Sequence, residues 1–255
     1  MSLDVFKLDG RVALVTGGNG GLGREMALAL AEAGADIAVT SRHKEKAEAT
    51  AATIAEATRR HTLGLVADVT DADQVEAMVQ AVVKEFGHID ILINSAGINI
   101  RKPIEEFDEA SWDLVQNTNL KAPFLCARAV APHMKVQRYG RVINVASMLG
   151  LVGLPERSAY CSSKGGVIQL TKVLALEWAS YNITVNALCP GPFATELNTP
   201  VINNPQTNQY FIDHIALKRW GRPEELKGAA VFLASDASSF MTGASLVIDG
   251  GWTVE

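Results

Sequence analysis

Short runs of apolar, often β-branched residues alternate with longer stretches of helical periodicity along most of the chain. "RVALVTG" from Arg11 leads into "REMALALAEAGA", and "DIAVTS" leads into an Ala/Glu/Lys-rich stretch ending near Arg60. Further runs follow at "TLGLVAD", "HIDILINSAG", "GRVINVASM", "NITVNALCPG" and "ASLVIDGG". Each run reads as a strand and each intervening stretch as a helix. Near-continuous apolar strands separated by helices belong to a parallel sheet covered on both faces. The pattern therefore predicts an α/β, doubly wound fold with a seven-stranded parallel sheet and helices on both sides. No linker, repeat or low-complexity tract interrupts it, so residues 1–255 read as one domain. The rhythm breaks at 190–222, "PGPFATELNTPVINNPQTNQYFIDHIALKRWGR", which is expected to be an irregular segment that covers substrate.

Composition narrows the choice of partner. With 48% apolar and 20% charged residues in 255, the chain can bury a sizeable core. A net charge of −5 argues against a nucleic-acid partner, whose phosphates demand a basic surface. Cys126, Cys161 and Cys189 match no disulfide or metal spacing, and His43, His61, His88, His133 and His214 show no paired ligand spacing, so no metal site is expected. The start "MSLDVFKLDG" lacks a signal-peptide pattern, and no apolar run reaches ~18 residues. The expectation is a soluble, cytoplasmic protein with no membrane partner.

The first strand runs into "TGGNGGLG" and then directly into a helix. Gly17, Gly21 and Gly23, with Asn19, Gly20 and Leu22 in the same turn, permit close approach of a pyrophosphate to helix-start N–H groups. A glycine turn can also be merely structural, but its place between strand and helix favours a dinucleotide. The absence of a Gly-Lys-Ser/Thr ending disfavours a P-loop hydrolase. At the end of the second strand, where an acid would hold the ribose diol of NAD, stand Ser41 and Arg42. That pair suits the extra phosphate of NADP, with His43 and Lys44 adding positive potential, although a solvated helix start is the plain alternative. Asp36 lies at the wrong end of that strand. Asp68 and Val69 end the third strand and can border an adenine, while Thr70 and Asp73 also read as a capping box. Asn94, Ala96 and Gly97 close the fourth strand, where the glycine permits close cofactor approach and the asparagine amide can bridge backbone groups.

"SAYCSSKGG" places Tyr160 four positions before Lys164, on one face of a helix, where an ammonium can favour the ionised phenol. Ser147 ends the fifth strand thirteen positions earlier, at the edge of the ligand crevice. Serine would orient a substrate oxygen, tyrosine exchange the proton, and lysine tune the tyrosine and grip ribose hydroxyls. Asn119 is either a structural mid-helix polar residue or the holder of a water against Lys164.

In this order "TGGNGGLG", "NSAG", Asn119, Ser147, "YCSSK" and "PGPFAT" resemble the short-chain dehydrogenase/reductase family over nearly the whole chain. The resemblance implies a Rossmann-type sheet, a nicotinamide cofactor (NADP(H) being favoured by Ser41 and Arg42, with NAD(H) the other form) and a catalytic set of Asn119, Ser147, Tyr160 and Lys164. It implies that Pro190, Gly191 and Thr195 border the nicotinamide and that the chain forms a homotetramer, partly through the C-terminal "IDGGW". Ser95 departs slightly, standing where the family often has a second asparagine or a small residue. "GINIRKPIEEFDEASW", "INVASM", "LKRWGRPEEL" and "DGGW" are similar to the gluconate 5-dehydrogenase and 2-deoxy-gluconate 3-dehydrogenase branch. If a sugar acid is the substrate, Arg101 is the candidate for its carboxylate beside Ser147 and Tyr160, and Asn198, Asn203 and Asn204 for its hydroxyls. Arg101 also reads as a surface or interface residue. A 3-oxoacyl-thioester reductase and a non-catalytic dinucleotide-binding regulator are the alternatives.

Overall fold

The computed structural model describes residues 3–254, so Met1, Ser2 and Glu255, the ends of the predicted domain, lie outside it. Seven strands form one parallel sheet: β1 (Val12–Thr16), β2 (Asp36–Ser41), β3 (Thr62–Val66), β4 (Ile91–Asn94), β5 (Gly140–Val145), β6 (Ile183–Pro190) and β7 (Ser245–Ile248). Their spatial order is β3-β2-β1-β4-β5-β6-β7. Between them run α1 (Gly21–Glu32), α2 (Lys44–Thr58), α3 (Ala72–Phe86), α4 (Glu109–Gln116), α5 (Ala122–Gln137), α6 (Ser158–Trp178), α7 (Thr199–Ile202), α8 (Pro205–His214) and α9 (Lys227–Ala234).

Alternate residues of each inner strand feed two separate cores. Val12, Leu14, Leu92 and Val142 pack with α3, α5 and the end of α6, whereas Ala13, Val15, Ile91, Ile93 and Ile143 pack with α1, α2 and α9. All of these side chains are buried, which is why the strands read as unbroken apolar runs. The chain turns in opposite directions along the sheet from β1 and from β4, and this reversal opens a crevice at the strands' carboxyl ends.

Three local expectations change. The capping box falls one residue away from Thr70 and Asp73: Asp71 caps α3, its carboxylate accepting from Asp73 N (2.9 Å) and Gln74 N (3.1 Å). Thr70 instead donates its hydroxyl to Asp68 at 2.7 Å. β5 stops at Val145, and Ser147 caps a short 3₁₀ turn, Met148–Gly150, accepting from Leu149 N at 3.1 Å. Segment 190–222 is substantially helical, carrying α7 and α8. Its Asn and Pro content is cap chemistry: Asn204 accepts from Gln206 N (3.0 Å) and Thr207 N (3.2 Å), and Pro205 occupies the first helical turn. The ring of Phe211 on α8 stacks on Trp220 (5.2 Å) and meets Trp252 (5.0 Å), fastening this segment to the C-terminal turn.

Candidate active site

One cleft of about 510 Å³ runs along the crevice from α1 to the 190–222 segment. At one end lies the glycine turn. Gly17 has φ +64°, and a Cβ there would stand 2.8 Å from Ala96 Cα, so only glycine lets the two loops approach. α1 starts after Gly20 with no side-chain cap, which leaves its first N–H groups free for an anion. Asn19, Gly20, Gly21, Leu22 and Gly23 all line this part of the cleft. Thr16, which reads in sequence as an ordinary strand residue, fixes the facing loop: its hydroxyl accepts from Ser95 N (3.1 Å) and Ala96 N (3.3 Å).

Beside the turn, Ser41, Arg42 and His43 line the cleft, and Ser41 Oγ accepts from His43 N at 3.1 Å. The lysine there is Lys46, not Lys44, which points to Glu48 at 3.8 Å. Helix phase decides this: Lys46 sits on the cleft side of the first turn of α2. Asp36 is engaged far from the site by Arg60 (2.8 Å) and His61 N (3.1 Å). An uncapped helix start, a glycine cradle and a cation group opposite Ser41 fit a dinucleotide with an additional phosphate. Replacing Arg42 by alanine is expected to raise KM for NADP roughly ten- to a hundred-fold, with little change for NAD. Equal shifts for both cofactors would refute the phosphate contact. Asp68 and Val69 line the adjoining wall, and the Asp68 carboxylate also accepts from Thr70 N at 2.9 Å.

Asn94 does not face the cleft. It is buried in the sheet, donating to Asn144 Oδ1 at 2.8 Å, and Asn144 in turn donates to Thr171 on α6 at 2.9 Å. This chain of amides ties β4, β5 and α6 together beneath the site. Ala96, Gly97, Pro190, Gly191 and Thr195 do line the cleft. At Gly191 a Cβ would meet Asp249 Cα at 2.4 Å, so glycine keeps the ends of β6 and β7 together.

Ser147, Tyr160 and Lys164 converge on the cleft's other end. Lys164 is 5% exposed, its Nζ donates to Val145 O at 2.7 Å, and it lies 5.7 Å from the Tyr160 ring centroid. Burial pulls its ammonium down to about 8. The expectation that Lys164 lowers the tyrosine is not what sets its net direction: burial raises the Tyr160 phenol above its ordinary value. Hydrogen bonding with Ser147 and the charge of Arg101 pull the other way without prevailing. The phenol is thus a protonated donor at neutral pH.

Asn119 is not in an ordinary helix and does not line the cleft. It lies in a π-helical turn, Asn117–Lys121, between α4 and α5, completely buried. Its amide accepts from Ile98 N (2.9 Å) and donates to Ile98 O (2.9 Å) and Ser163 Oγ (3.1 Å). Ser163 in turn donates to Tyr160 O at 2.7 Å, so Asn119 braces the turn of α6 that carries the tyrosine. A Cβ at Gly97 would lie 3.3 Å from Asn119 Oδ1 and 3.6 Å from Lys164 Nζ, which places both polar groups across one gap.

Arg101 stands behind the wall. Its Nη2 donates to Leu197 O (3.0 Å) and Asn198 Oδ1 (3.3 Å), and of the three lid asparagines Asn198 alone lines the cleft. Asn203 closes α7 and Asn204 caps α8.

A phosphate cradle at one end of a sheet crevice and a serine, phenol and amine at the other define a nicotinamide-dependent oxidoreductase acting on CH–OH groups. The chain belongs to the short-chain dehydrogenase/reductase family. The family model described as enoyl-(acyl carrier protein) reductase, adh_short_C2, matches residues 17–253. The chain is 43% identical over 255 residues, 99% of each chain, to 2-dehydro-3-deoxy-D-gluconate 5-dehydrogenase of Escherichia coli K12. It is 40% identical over 240 residues, 94% of this chain and 96% of the relative, to the 3-oxoacyl-acyl-carrier-protein reductase of Staphylococcus aureus Mu50. The solved gluconate 5-dehydrogenase of Burkholderia cenocepacia J2315, in complex with NADP and tartrate, superposes with a TM-score of 0.97 at 39% identity, covering 100% of both chains.

Proposed function

We propose that this protein interconverts a secondary carbinol and a ketone on a sugar acid of the gluconate/5-keto-gluconate type, with NADP(H) as the redox partner. The observation that carries this reading is the convergence of Ser147, Tyr160 and Lys164 on one cleft with the Arg42–Lys46 cations at its other end. When bound, the nicotinamide supplies or takes the hydride. The protein does the rest: Ser147 orients the substrate oxygen and stabilises its developing negative charge, Tyr160 gives or takes the proton, and Lys164 holds the ribose end and feeds the tyrosine. Asn119 acts through the turn that carries Tyr160. Pro190, Gly191 and Thr195 border the nicotinamide.

Residues 1–255 work as one catalytic domain in this reading, with 190–222 as its cover. No helix among the described residues is long and apolar enough to cross a membrane, in keeping with a cytoplasmic enzyme. Exposed Val136, Val173, Leu176 and Phe240 suit burial against further copies in a homotetramer. The relative named as a 3-oxoacyl reductase keeps thioesters as the second reading, and a non-catalytic regulator would have no use for a buried proton donor. Following nicotinamide absorbance with gluconate, 5-keto-gluconate, neutral polyols and a 3-oxoacyl thioester separates these. Turnover is expected on the sugar acids; turnover on the thioester alone, or on nothing, would overturn the proposal.

A further inference from the structure

The charge of Arg101 is felt at Tyr160, Arg157 lies just before Tyr160 at the start of α6, and the reaction as described uses neither arginine. The segment after β4 runs against the approach to α6, where Lys102 N donates to Glu156 O at 3.3 Å. Glu156 is held at φ +61°, and its carbonyl also accepts from Arg157 Nη1 at 3.2 Å. This backbone contact brings Arg101 and Arg157 together, each on a residue next to the contact.

Arg157 is 7% exposed, yet its side chain is bonded to its own chain neighbour, Glu156, whose carboxylate lies 3.6 Å away and is 57% exposed. Arg141 shows how this protein satisfies a buried structural arginine. At 2% exposed, it donates to Gly140 O, Asn182 O, Ser235 O and the Asp236 carboxylate, which come from separate elements. Arg157 has no comparable set among the described residues. Arg101 is likewise incomplete: Nη2 holds Leu197 and Asn198, but Nε is buried without a partner, as are Asn99 Oδ1 and Ser158 Oγ on the same two segments. Burial and the neighbouring Arg101 charge both hold the Arg157 guanidinium below its ordinary value, and burial does the same to Arg101. Two desolvated neighbouring cations, of which only Arg157 has a carboxylate partner and that one solvated, are under-compensated, and a bound anion completes them.

We infer that Arg157 joins Arg101, directly behind the cleft-lining Leu197 and Asn198, in a two-guanidinium site that the substrate's carboxylate engages, and that Arg157 is the residue that selects sugar acids over neutral polyols. The inference rests on the sugar-acid reading above and adds to it the group that enforces it. Planar guanidinium forks match a carboxylate's two oxygens, and the Arg101 bond to Leu197 and Asn198 makes the same site sense the cover of the cleft.

The test is substrate discrimination by the full-length enzyme. In Arg157→Gln, the ratio of kcat/KM for gluconate to that for a neutral polyol such as threitol is expected to fall roughly ten- to a hundred-fold, mainly through KM for the acid. Arg157→Lys should recover part of the ratio, because it restores charge without the fork. A general structural defect would depress both substrates alike, and an unchanged ratio would overturn the inference. If the wild-type enzyme turned over no sugar acid, the substrate reading would fail separately. The site would then be decided by gluconate and tartrate as competitive inhibitors of whichever alcohol is oxidised. Inhibition at least ten-fold weaker in Arg157→Gln would support it, and equal inhibition would sink it.

Discussion

Replacing Tyr160 by phenylalanine is expected to lower kcat roughly a thousand-fold while leaving cofactor binding and folding intact. The ring keeps its place on α6 and its contacts; the loss is one hydroxyl that hydrogen-bonds with Ser147. That hydroxyl is the proton donor for carbonyl reduction, and water cannot replace it at a partly buried position where the substrate oxygen must sit. The direction of its shift sets the pH dependence. Burial raises the phenol above its ordinary value, so the acid needed for reduction is present throughout the neutral range. Oxidation needs the phenolate, whose population grows with pH, so the oxidative rate should climb across the neutral and alkaline range and still be rising at the ordinary phenol value of 10.0, while the reductive rate holds over the same range. Rates in both directions and a fluorescence titration of NADPH check this. Substantial turnover by the variant, or an oxidative rate indifferent to pH, would remove Tyr160 from the proton-transfer role.

The parts of the site legible in sequence are those whose geometry is local. The Gly17–Gly23 turn depends on backbone conformations that glycine alone supplies, and its place between β1 and α1 follows from hydrophobic periodicity. Tyr160 and Lys164 share a helix face by spacing alone. The parts that escaped depend on partners distant in sequence or on a break in helix period. Asn94 reads as a crevice residue until Asn144, fifty positions later, claims its amide inside the sheet. Asn119 sits in a π-helical turn whose sequence, "NTNLK", carries no sign of the altered period. Lys44 and Lys46 are equivalent in composition, and the phase of α2 separates them. The helices of segment 190–222 were hidden because Asn and Pro, which read as breakers, are used as caps there. Arg157 offered no pattern at all, since its interest lies in how few partners its burial gives it.

Lys164 links the site to the stability of the fold, and the link yields the second large effect: Lys164→Met should be catalytically crippled yet more stable than the native enzyme at pH 7. Burial lowers the ammonium from 10.5 to about 8. Each tenfold change in proton affinity is worth about 1.4 kcal/mol, so holding the proton on Lys164 costs the folded state about 3 kcal/mol at neutral pH. Methionine of similar length carries no such cost. The variant does leave Val145 O without its 2.7 Å donor, a loss of about 1–3 kcal/mol that offsets part of the gain. The pH window isolates the charge from the packing. Below pH ~8 both folded and unfolded native chains keep the proton, and the cost is fully present. Between pH ~8 and ~10.5 the folded chain has released it while the unfolded chain still binds it, so the native enzyme gains stability as pH rises and the variant does not. Urea unfolding at about pH 7 and about pH 10 should therefore show the variant's advantage shrinking at the higher pH. An advantage that stayed constant would mean that Lys164 is not carrying a buried charge at neutral pH. The amine would then enter the reaction as a neutral base instead of a cation, and its grip on the ribose hydroxyls and the tyrosine would need a different explanation.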